Sequence, residues 1–233
     1  MIPIKDSIPS KTTPYVNIFL ILTNFALFFY EVSLDRWELT RFLYIYGLVP
    51  ERFFYLSGEG APFLTLYFPF FTSIFMHAGW FHILGNMLFL WIFGDNVEDE
   101  MGHFKYLIFY ILCGLGAGFV HLFLNSTSSV PAVGASGAIS GVMGAYMLLF
   151  PHSRIVTLFP IFFFFTFVEV SAFFFIAIWF IFQLFSGAFS LLAGRAATGG
   201  VAWWAHVGGF LVGMGLVFLF AKRPRYKRRS YDW

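Results

Sequence analysis

The chain has 233 residues, of which 59% are hydrophobic and only 11% are charged, and 36 of them are phenylalanines. This composition is too apolar for a soluble domain of this size and indicates an integral membrane protein with several spans. The single cysteine, Cys113, excludes an internal disulfide. The formal net charge is only +2, and no nucleic-acid partner is predicted.

Apolar runs long enough to cross a bilayer recur after a polar N-terminal segment, residues 1–14. That segment has no apolar run of its own and does not resemble a cleaved signal peptide. Nothing indicates a second domain, so a single membrane domain over 1–233 is predicted. The six predicted transmembrane helices cover about these residues: 15–31, 74–94, 104–124, 136–150, 167–186 and 201–221.

The apolar stretch 155–193 is long enough for two spans, and the distribution of charge decides how it is counted. The basic tail, residues 222–233, belongs in the cytoplasm by the positive-inside rule. Lys5 and Lys11 lie on the same side only if the number of spans is even. We therefore predict that 155–166 is a lead-in that dips into the interface before a single helix, and that both termini are cytoplasmic.

A long loop, residues 32–73, follows the first predicted span on the outside. It contains the amphipathic stretch LDRWELTRFLYIYGLVPERFF, in which aromatic and charged residues alternate irregularly. Such a segment is predicted to lie on or partly in the outer leaflet.

Polar side chains inside membrane helices are costly and are functional candidates by default. His77, His82 and Asn86 fall on the second predicted span, Ser136 on the fourth and His206 on the sixth. All three spans enter from outside, and these residues lie early in each. They are therefore predicted to share one depth below the outer surface.

The fourth predicted span is short, because about 15 residues separate Ser136 from the helix breaker Pro151. This corresponds to roughly 22 Å of helix, whereas the hydrocarbon core is about 30 Å thick. Ser136 is therefore predicted to lie inside the bilayer profile, at the floor of a cavity that opens outward.

A serine becomes a good nucleophile only when a base takes its proton, and His206 is the natural base for Ser136. Small residues spaced by four, such as Gly137 with Gly141 and Gly209 with Gly213, would let the two helices approach closely. The first amides of the fourth helix could stabilise an oxyanion.

Each of these features has a simpler interpretation when taken alone. A serine in a glycine-rich span commonly serves helix packing, and a lone intramembrane histidine is commonly structural or a proton relay. Their combination at one depth favours chemistry. No H-E-x-x-H motif occurs, and Asp95, Glu98 and Glu169 all fall near the inner face. A serine enzyme built from these residues would therefore use a dyad.

Three sequence blocks resemble those of the rhomboid intramembrane serine proteases. They are GASG at 134–137, HAGWFHILGN at 77–86 and AHVGGFLVG at 205–213, in the same order as in the family. The resemblance covers nearly the whole chain. It implies an all-α membrane protein, a six-transmembrane-helix rhomboid-like bundle with a long membrane-associated first outside loop.

The resemblance also implies a function, namely cleavage of transmembrane or membrane-anchored proteins, usually at small residues, with no metal and no cofactor. By motif, Ser136 is the nucleophile and His206 the general base. The residues on the oxyanion or substrate side are His82, Asn86 and Gly137. Those with a structural or cavity-lining role are His77, Gly134, Gly209 and Ser140.

Some members of the family carry a large aromatic residue four positions after the nucleophile, where it packs on the histidine. This chain has Ser140 there. Residues 186–200 match the region that gates substrate entry, and Glu98 matches a structural acidic position.

Two further hypotheses come from other functional classes. A non-catalytic relative would bind transmembrane segments without cutting them, and a small transporter would use the histidines to relay protons. The intact Ser136 and His206 disfavour the first, and the lack of an inverted repeat disfavours the second. The lack of extra domains favours a prokaryotic plasma membrane, and the oligomeric state is left open.

Overall fold

The computed structural model describes residues 2–161, 164–193 and 201–222. Within these ranges most residues are helical. The helices are α1 (Tyr15–Ser33), α2 (Arg36–Tyr46), α3 (Pro50–Gly58), α4 (Phe63–Thr72), α5 (Trp80–Met101), α6 (His103–Leu124), α7 (Ser136–Leu149), α8 (Ala172–Ala193) and α9 (Trp203–Phe220). The strands are β1 (Ile2–Asp6), β2 (Arg154–Ile161) and β3 (Phe164–Ser171). The predicted helical membrane bundle is confirmed, with a small sheet in addition.

Four helices in the described ranges are long and apolar enough to cross a membrane, namely α1, α6, α8 and α9. A 3-10 turn, Ser73–Phe75, extends α4, and this unit meets α5 at an angle of 79°, which makes a fifth span if the bent pair is counted as one. Helix α7 is apolar but has only 14 residues. Helices therefore lie at all six predicted positions. The number of six spans stays a prediction, because it depends on counting α5 and α7.

The stretch 155–166, predicted as a lead-in before a single helix, forms strand where the structure describes it, and one helix, α8, follows it as predicted. The predicted start of that helix at 167 was wrong, because residues 167–171 belong to strand β3. Strand β2 pairs antiparallel with β3, so that Arg154 lies opposite Ser171 and Ile155 opposite Val170. Helix α8 begins at Ala172, five residues later than predicted. A short apolar run rich in aromatic and β-branched residues fits either a strand or a buried helix, and only its pairing decides between them.

The sheet also includes the predicted polar N-terminal segment. Strand β1 pairs antiparallel with β2, giving the strand order β1-β2-β3. The sheet therefore pairs two segments that are about 150 residues apart in sequence. No local pattern predicts such a contact. Of the predicted basic tail, residues 223–233 lie outside the described residues.

The acidic run at the end of α5, residues 95–100, forms hydrogen bonds with the start of α1 and the segment before it. The buried carboxylate of Glu98 accepts hydrogen bonds from the backbone N–H groups of Val16 and Asn17, at 3.0 and 2.8 Å. These N–H groups belong to the first turn of α1 and have no partner within their own helix. A negative charge at this end also interacts favourably with the helix dipole. The Lys11 ammonium donates to Glu100 at 2.6 Å. The predicted outside loop and this acidic run thus lie at opposite ends of α1.

The predicted outside loop, residues 32–73, contains α2, α3 and α4, and Arg52 links two of these helices. The Arg52 guanidinium donates to the backbone carbonyls of Tyr44, Ile45 and Gly47, the last two at 3.0 and 3.3 Å. One rigid, multiply donating side chain therefore ties the end of α2 to α3.

Asp6, at the end of β1, predicts a pH dependence of stability. Its carboxylate accepts hydrogen bonds from Tyr146 at 2.6 Å and Asn96 at 3.0 Å. Burial raises the pKa of Asp6 to about 6, the Tyr146 hydroxyl lowers it less, and the charge of Asp95 raises it further. Because the folded state binds this proton more tightly than the unfolded state, protonated Asp6 stabilises the folded protein. That stabilisation is complete below about pH 4 and is lost as the pH rises through 6.

We therefore expect wild-type protein to lose about 1 kcal/mol more than Asp6→Asn between pH 4 and pH 7, a value reduced for the solvent that reaches this carboxyl. Asparagine keeps an acceptor for Tyr146. Thermal unfolding of both proteins in detergent across this pH range measures the difference. Parallel curves for the two proteins would contradict the expectation.

Candidate active site

The small-residue faces of α7 and α9 bring the two backbones into direct contact. A Cβ atom added at Gly209 would overlap the carbonyl oxygen of Gly137, and one at Gly213 would overlap Gly141. At Gly144 an added Cβ would lie 2.6 Å from a carbonyl oxygen of α9. No larger residue fits at these positions without moving a helix. The first turn of α7 consequently lies against the first turns of α9.

This contact brings Ser136 and His206 together. Ser136 is the first residue of α7, and its Oγ lies 2.8 Å from Nε2 of His206 in α9. Both side chains are half-buried. The separation is that of a hydrogen bond, and it is also the separation needed for proton transfer from a nucleophile to a base.

A residue that the sequence analysis missed occupies the other side of the imidazole. Gln183, in α8, has its Oε1 2.8 Å from Nδ1 of His206. It is the only glutamine in the chain and lies in the middle of an apolar helix. A lone amide inside a span was the available signal, but nothing in the sequence indicates that it contacts His206.

Two tryptophan rings flank His206 in place of an aromatic residue at position 140. The rings of Trp179 and Trp203 have centroids 6.1 and 6.2 Å from the imidazole. Ser140 is buried, and its hydroxyl donates to the carbonyl oxygen of Ser136 at 2.6 Å. The aromatic neighbours of the histidine thus come from α8 and α9 rather than from α7.

His77 does not lie on a helix, which corrects its prediction on the second span. The chain breaks over residues 76–79 between the 3-10 turn and α5, and His77 is buried in this break. The break turns its ring toward that of His82, with centroids 5.1 Å apart. The amide nitrogen of Asn86 donates to Nε2 of His77 at 2.9 Å. The backbone N–H of His77 donates to the buried carboxylate of Glu31 at 3.1 Å.

His82 and Asn86 reach the loop directly before the serine. Gly134 has φ +131°, and an added Cβ would lie 2.7 Å from His82 Nε2 and 3.6 Å from Asn86 Nδ2. Glycine is needed there both for its backbone angle and for the space that the imidazole occupies. The His82 imidazole and the Asn86 amide therefore lie beside Gly134, two residues before Ser136 in the sequence. Asn86 uses one amide hydrogen on His77 and has a second available.

A small cavity opens beside Ser136, lined in part by Gly134, Gly137, Ala202 and Ala205. Helix α7 has no side-chain cap among the described residues, so its first N–H groups are available to a negative charge near Ser136. The part of the chain that the structure describes contains no group of three or more metal-binding side chains.

The predicted gate, residues 186–200, is only partly described. Residues 186–193 form the end of α8, and residues 194–200 lie outside the described residues.

Comparison with known proteins identifies the family. The sequence model of the Rhomboid domain matches residues 65–223, which is more than half of the chain. The chain belongs to the rhomboid family. The resemblance of its three sequence blocks is thereby confirmed at the level of the family.

Several rhomboid proteins with curated names are similar to this chain. RHOMBOID-like protein 1 of Arabidopsis thaliana is 33% identical over 156 residues, covering 67% of this chain and 35% of that protein. Rhomboid-like protein 11, chloroplastic, of the same organism is 37% identical over 103 residues, covering 42% of this chain and 36% of that protein. Rhomboid protein 1, mitochondrial, of Saccharomyces cerevisiae is 32% identical over 94 residues, covering 38% and 27%. This rhomboid chain therefore spans less than half the length of these relatives.

The names of the relatives bear on the predicted compartment. Chloroplastic and mitochondrial rhomboids are among them. They lend no support to the prediction of a prokaryotic plasma membrane, whereas the apolar helices of this rhomboid chain agree with an integral membrane protein.

Proposed function

We propose that this rhomboid chain is an intramembrane serine protease that cleaves transmembrane or membrane-anchored proteins. The observation that carries the proposal is the 2.8 Å separation between Ser136 Oγ and His206 Nε2. A hydroxyl that donates to an unprotonated imidazole nitrogen is the arrangement that activates a serine for acyl transfer. Membership of the rhomboid family supports the same chemistry.

In the proposed mechanism, Ser136 Oγ attacks the carbonyl carbon of the scissile peptide bond, and His206 Nε2 takes the hydroxyl proton. The tetrahedral intermediate collapses when the C–N bond breaks and the imidazolium gives its proton to the leaving amine. Water, deprotonated by the same nitrogen, then hydrolyses the acyl-enzyme. This cycle needs no metal and no cofactor.

Negative charge develops on the carbonyl oxygen during each attack. The uncapped first turn of α7 supplies the N–H groups of Ser136 and Gly137 for that charge. His82 and Asn86 lie beside Gly134 and are proposed to add side-chain donors. Removing one such donor typically costs about 10²–10³ in rate.

The size of the cavity beside Ser136 favours a substrate with a small side chain at the cleaved bond. The cavity walls are mostly glycine and alanine, as at Gly134, Gly137 and Ala205, and a bulky side chain would not fit without rearrangement.

The proposed partners are a transmembrane protein substrate and the bilayer. The cytoplasmic placement of both termini, and the prokaryotic plasma membrane as compartment, remain proposals.

Covalent labelling tests the proposal directly. Detergent-solubilised protein is treated with a fluorophosphonate probe, and mass spectrometry locates the modified residue. We expect labelling at Ser136 that is lost in His206→Ala, because the serine reacts only when a base takes its proton. Ser190 in α8, whose hydroxyl donates to the Gly187 carbonyl at 2.6 Å, is an internal control that should stay unmodified.

Two results would count against the proposed protease. One is a folded protein that is not labelled at all and does not cleave a transmembrane substrate, which would favour the non-catalytic, segment-binding hypothesis. The other is labelling of Ser136 at the same rate with and without His206.

A further inference from the structure

Both ring nitrogens of His206 have partners, and the second partner is not part of the proposed chemistry. Nε2 faces Ser136 Oγ, and Nδ1 faces Gln183 Oε1, each at 2.8 Å. A neutral imidazole carries one proton, so only one of its nitrogens can donate and only the other can accept. The partner of Nδ1 therefore decides whether Nε2 is free to accept the serine proton.

The orientation of the Gln183 amide decides this question. Its Nε2 donates to the backbone carbonyl oxygen of Trp179 at 3.2 Å, and the side chain is only 4% exposed. A carbonyl oxygen can only accept, so the amide nitrogen must be the atom on that side, and Oε1 must face the imidazole. An oxygen at 2.8 Å requires a proton on Nδ1 of His206. Nε2 is consequently unprotonated and accepts from Ser136.

Helix α8 also holds the plane of the imidazole. Trp179 and Gln183 are four residues apart and thus share one face of the helix. The Trp179 ring lies at 33° to that of His206, while the amide of Gln183 contacts its edge. Position 140 of α7 offers only a small hydroxyl, which is bonded to the carbonyl of its own helix. One face of α8 therefore orients the base from two directions.

We propose that Gln183 is a positioning residue that holds His206 in the tautomer with a proton on Nδ1. This inference rests on the proposed protease function of Ser136 and His206. When the ring takes the serine proton, the amide oxygen remains its acceptor and stabilises the imidazolium. A neutral amide does this less strongly than the carboxylate of a serine–histidine–aspartate triad.

The test compares three variants of the whole 233-residue chain. Gln183→Leu removes the acceptor, Gln183→Glu keeps one, and Ile181→Leu is a control at a half-exposed position on the same helix. We expect Gln183→Leu to lower kcat by about 10–100-fold with KM within about twofold, because the amide contacts the base rather than the substrate. We expect Gln183→Glu to retain kcat within about threefold and Ile181→Leu to match wild type.

A general packing defect would act differently. It would affect Gln183→Leu and Gln183→Glu together and would lower the unfolding temperature along with kcat. If Gln183→Leu does not fold, the unbranched Gln183→Met replaces it. Unchanged kcat in a folded Leu or Met variant of an active protease would overturn the inference and leave the proposed function intact.

A spectroscopic readout decides the matter without any substrate. In protein labelled with ¹⁵N at histidine, the His206 ring signals, assigned by their loss in His206→Gln, should show protonated Nδ1 and unprotonated Nε2 in wild type. In Gln183→Leu the signals should move toward the opposite tautomer. An unchanged tautomer would overturn the inference. A wild-type protein with the expected tautomer but no proteolysis would instead contradict the proposed function.

Discussion

Replacing Ser136 with alanine is expected to lower the cleavage rate of a transmembrane substrate by at least about 10³–10⁴-fold, and His206→Ala should have a loss of similar size. The first change removes the nucleophile, and the second leaves its proton without the acceptor that lies 2.8 Å away. Cleavage of a model transmembrane substrate in reconstituted vesicles, followed on gels, measures both losses.

The double variant sharpens this prediction. Two residues that act as one unit give non-additive losses, so Ser136→Ala combined with His206→Ala should be no slower than either single variant. Ser190→Ala serves as the matched control, since among the described residues that hydroxyl donates to the Gly187 carbonyl of its own helix. This change should leave the rate unchanged. Full activity in both single variants would rule out the proposed mechanism, and additive losses would show that the two residues act independently.

Gly209→Ala is expected to cost about 3 kcal/mol or more in stability and to separate α7 from α9. The new methyl group would overlap the carbonyl oxygen of Gly137, a backbone atom that cannot move aside without the whole helix. Overpacking in a close-packed interior commonly costs about 1–3 kcal/mol when side chains can adjust, and here the obstacle is main chain. Because Gly137 directly follows Ser136, loss of the bond between Ser136 and His206 should accompany the loss of stability.

The same helix offers a matched control. Nothing lies within 4 Å of a Cβ added at Gly215, so Gly215→Ala should be neutral or should stabilise α9 by up to about 1 kcal/mol through its higher helix propensity. Thermal unfolding in detergent, read together with fluorophosphonate labelling of Ser136, compares the two variants. Equal unfolding temperatures for Gly209→Ala and Gly215→Ala would mean that α7 and α9 do not meet at Gly209.

Much of the fold could be predicted because a bilayer imposes local rules. Each span must be an apolar run of sufficient length, so composition alone identified the class of protein, and helices lie at all six predicted positions. The prediction was wrong at the start of the fifth span, because residues 167–171 belong to strand β3, and strands β2 and β3 are defined by pairing rather than by their own residues.

Part of the candidate site could also be predicted. Ser136 and His206 were identified from the cost of polar groups in a membrane and from the glycine spacing that allows α7 and α9 to touch. His77 was predicted on a helix, but it lies in the break between the 3-10 turn and α5. The break turns its ring toward His82, and helix periodicity cannot predict such a turn.

The sequence by itself indicated a membrane protein, the six positions at which helices lie and the two residues that are candidates for the chemistry, since apolarity, length and spacing are local properties. Only the tertiary structure showed that Gln183 contacts His206. Gln183 is 23 residues from His206 and lies on another helix. The contact depends on how α8 packs against α9, and a hydrogen bond between these two helices has no signature in the sequence of either one.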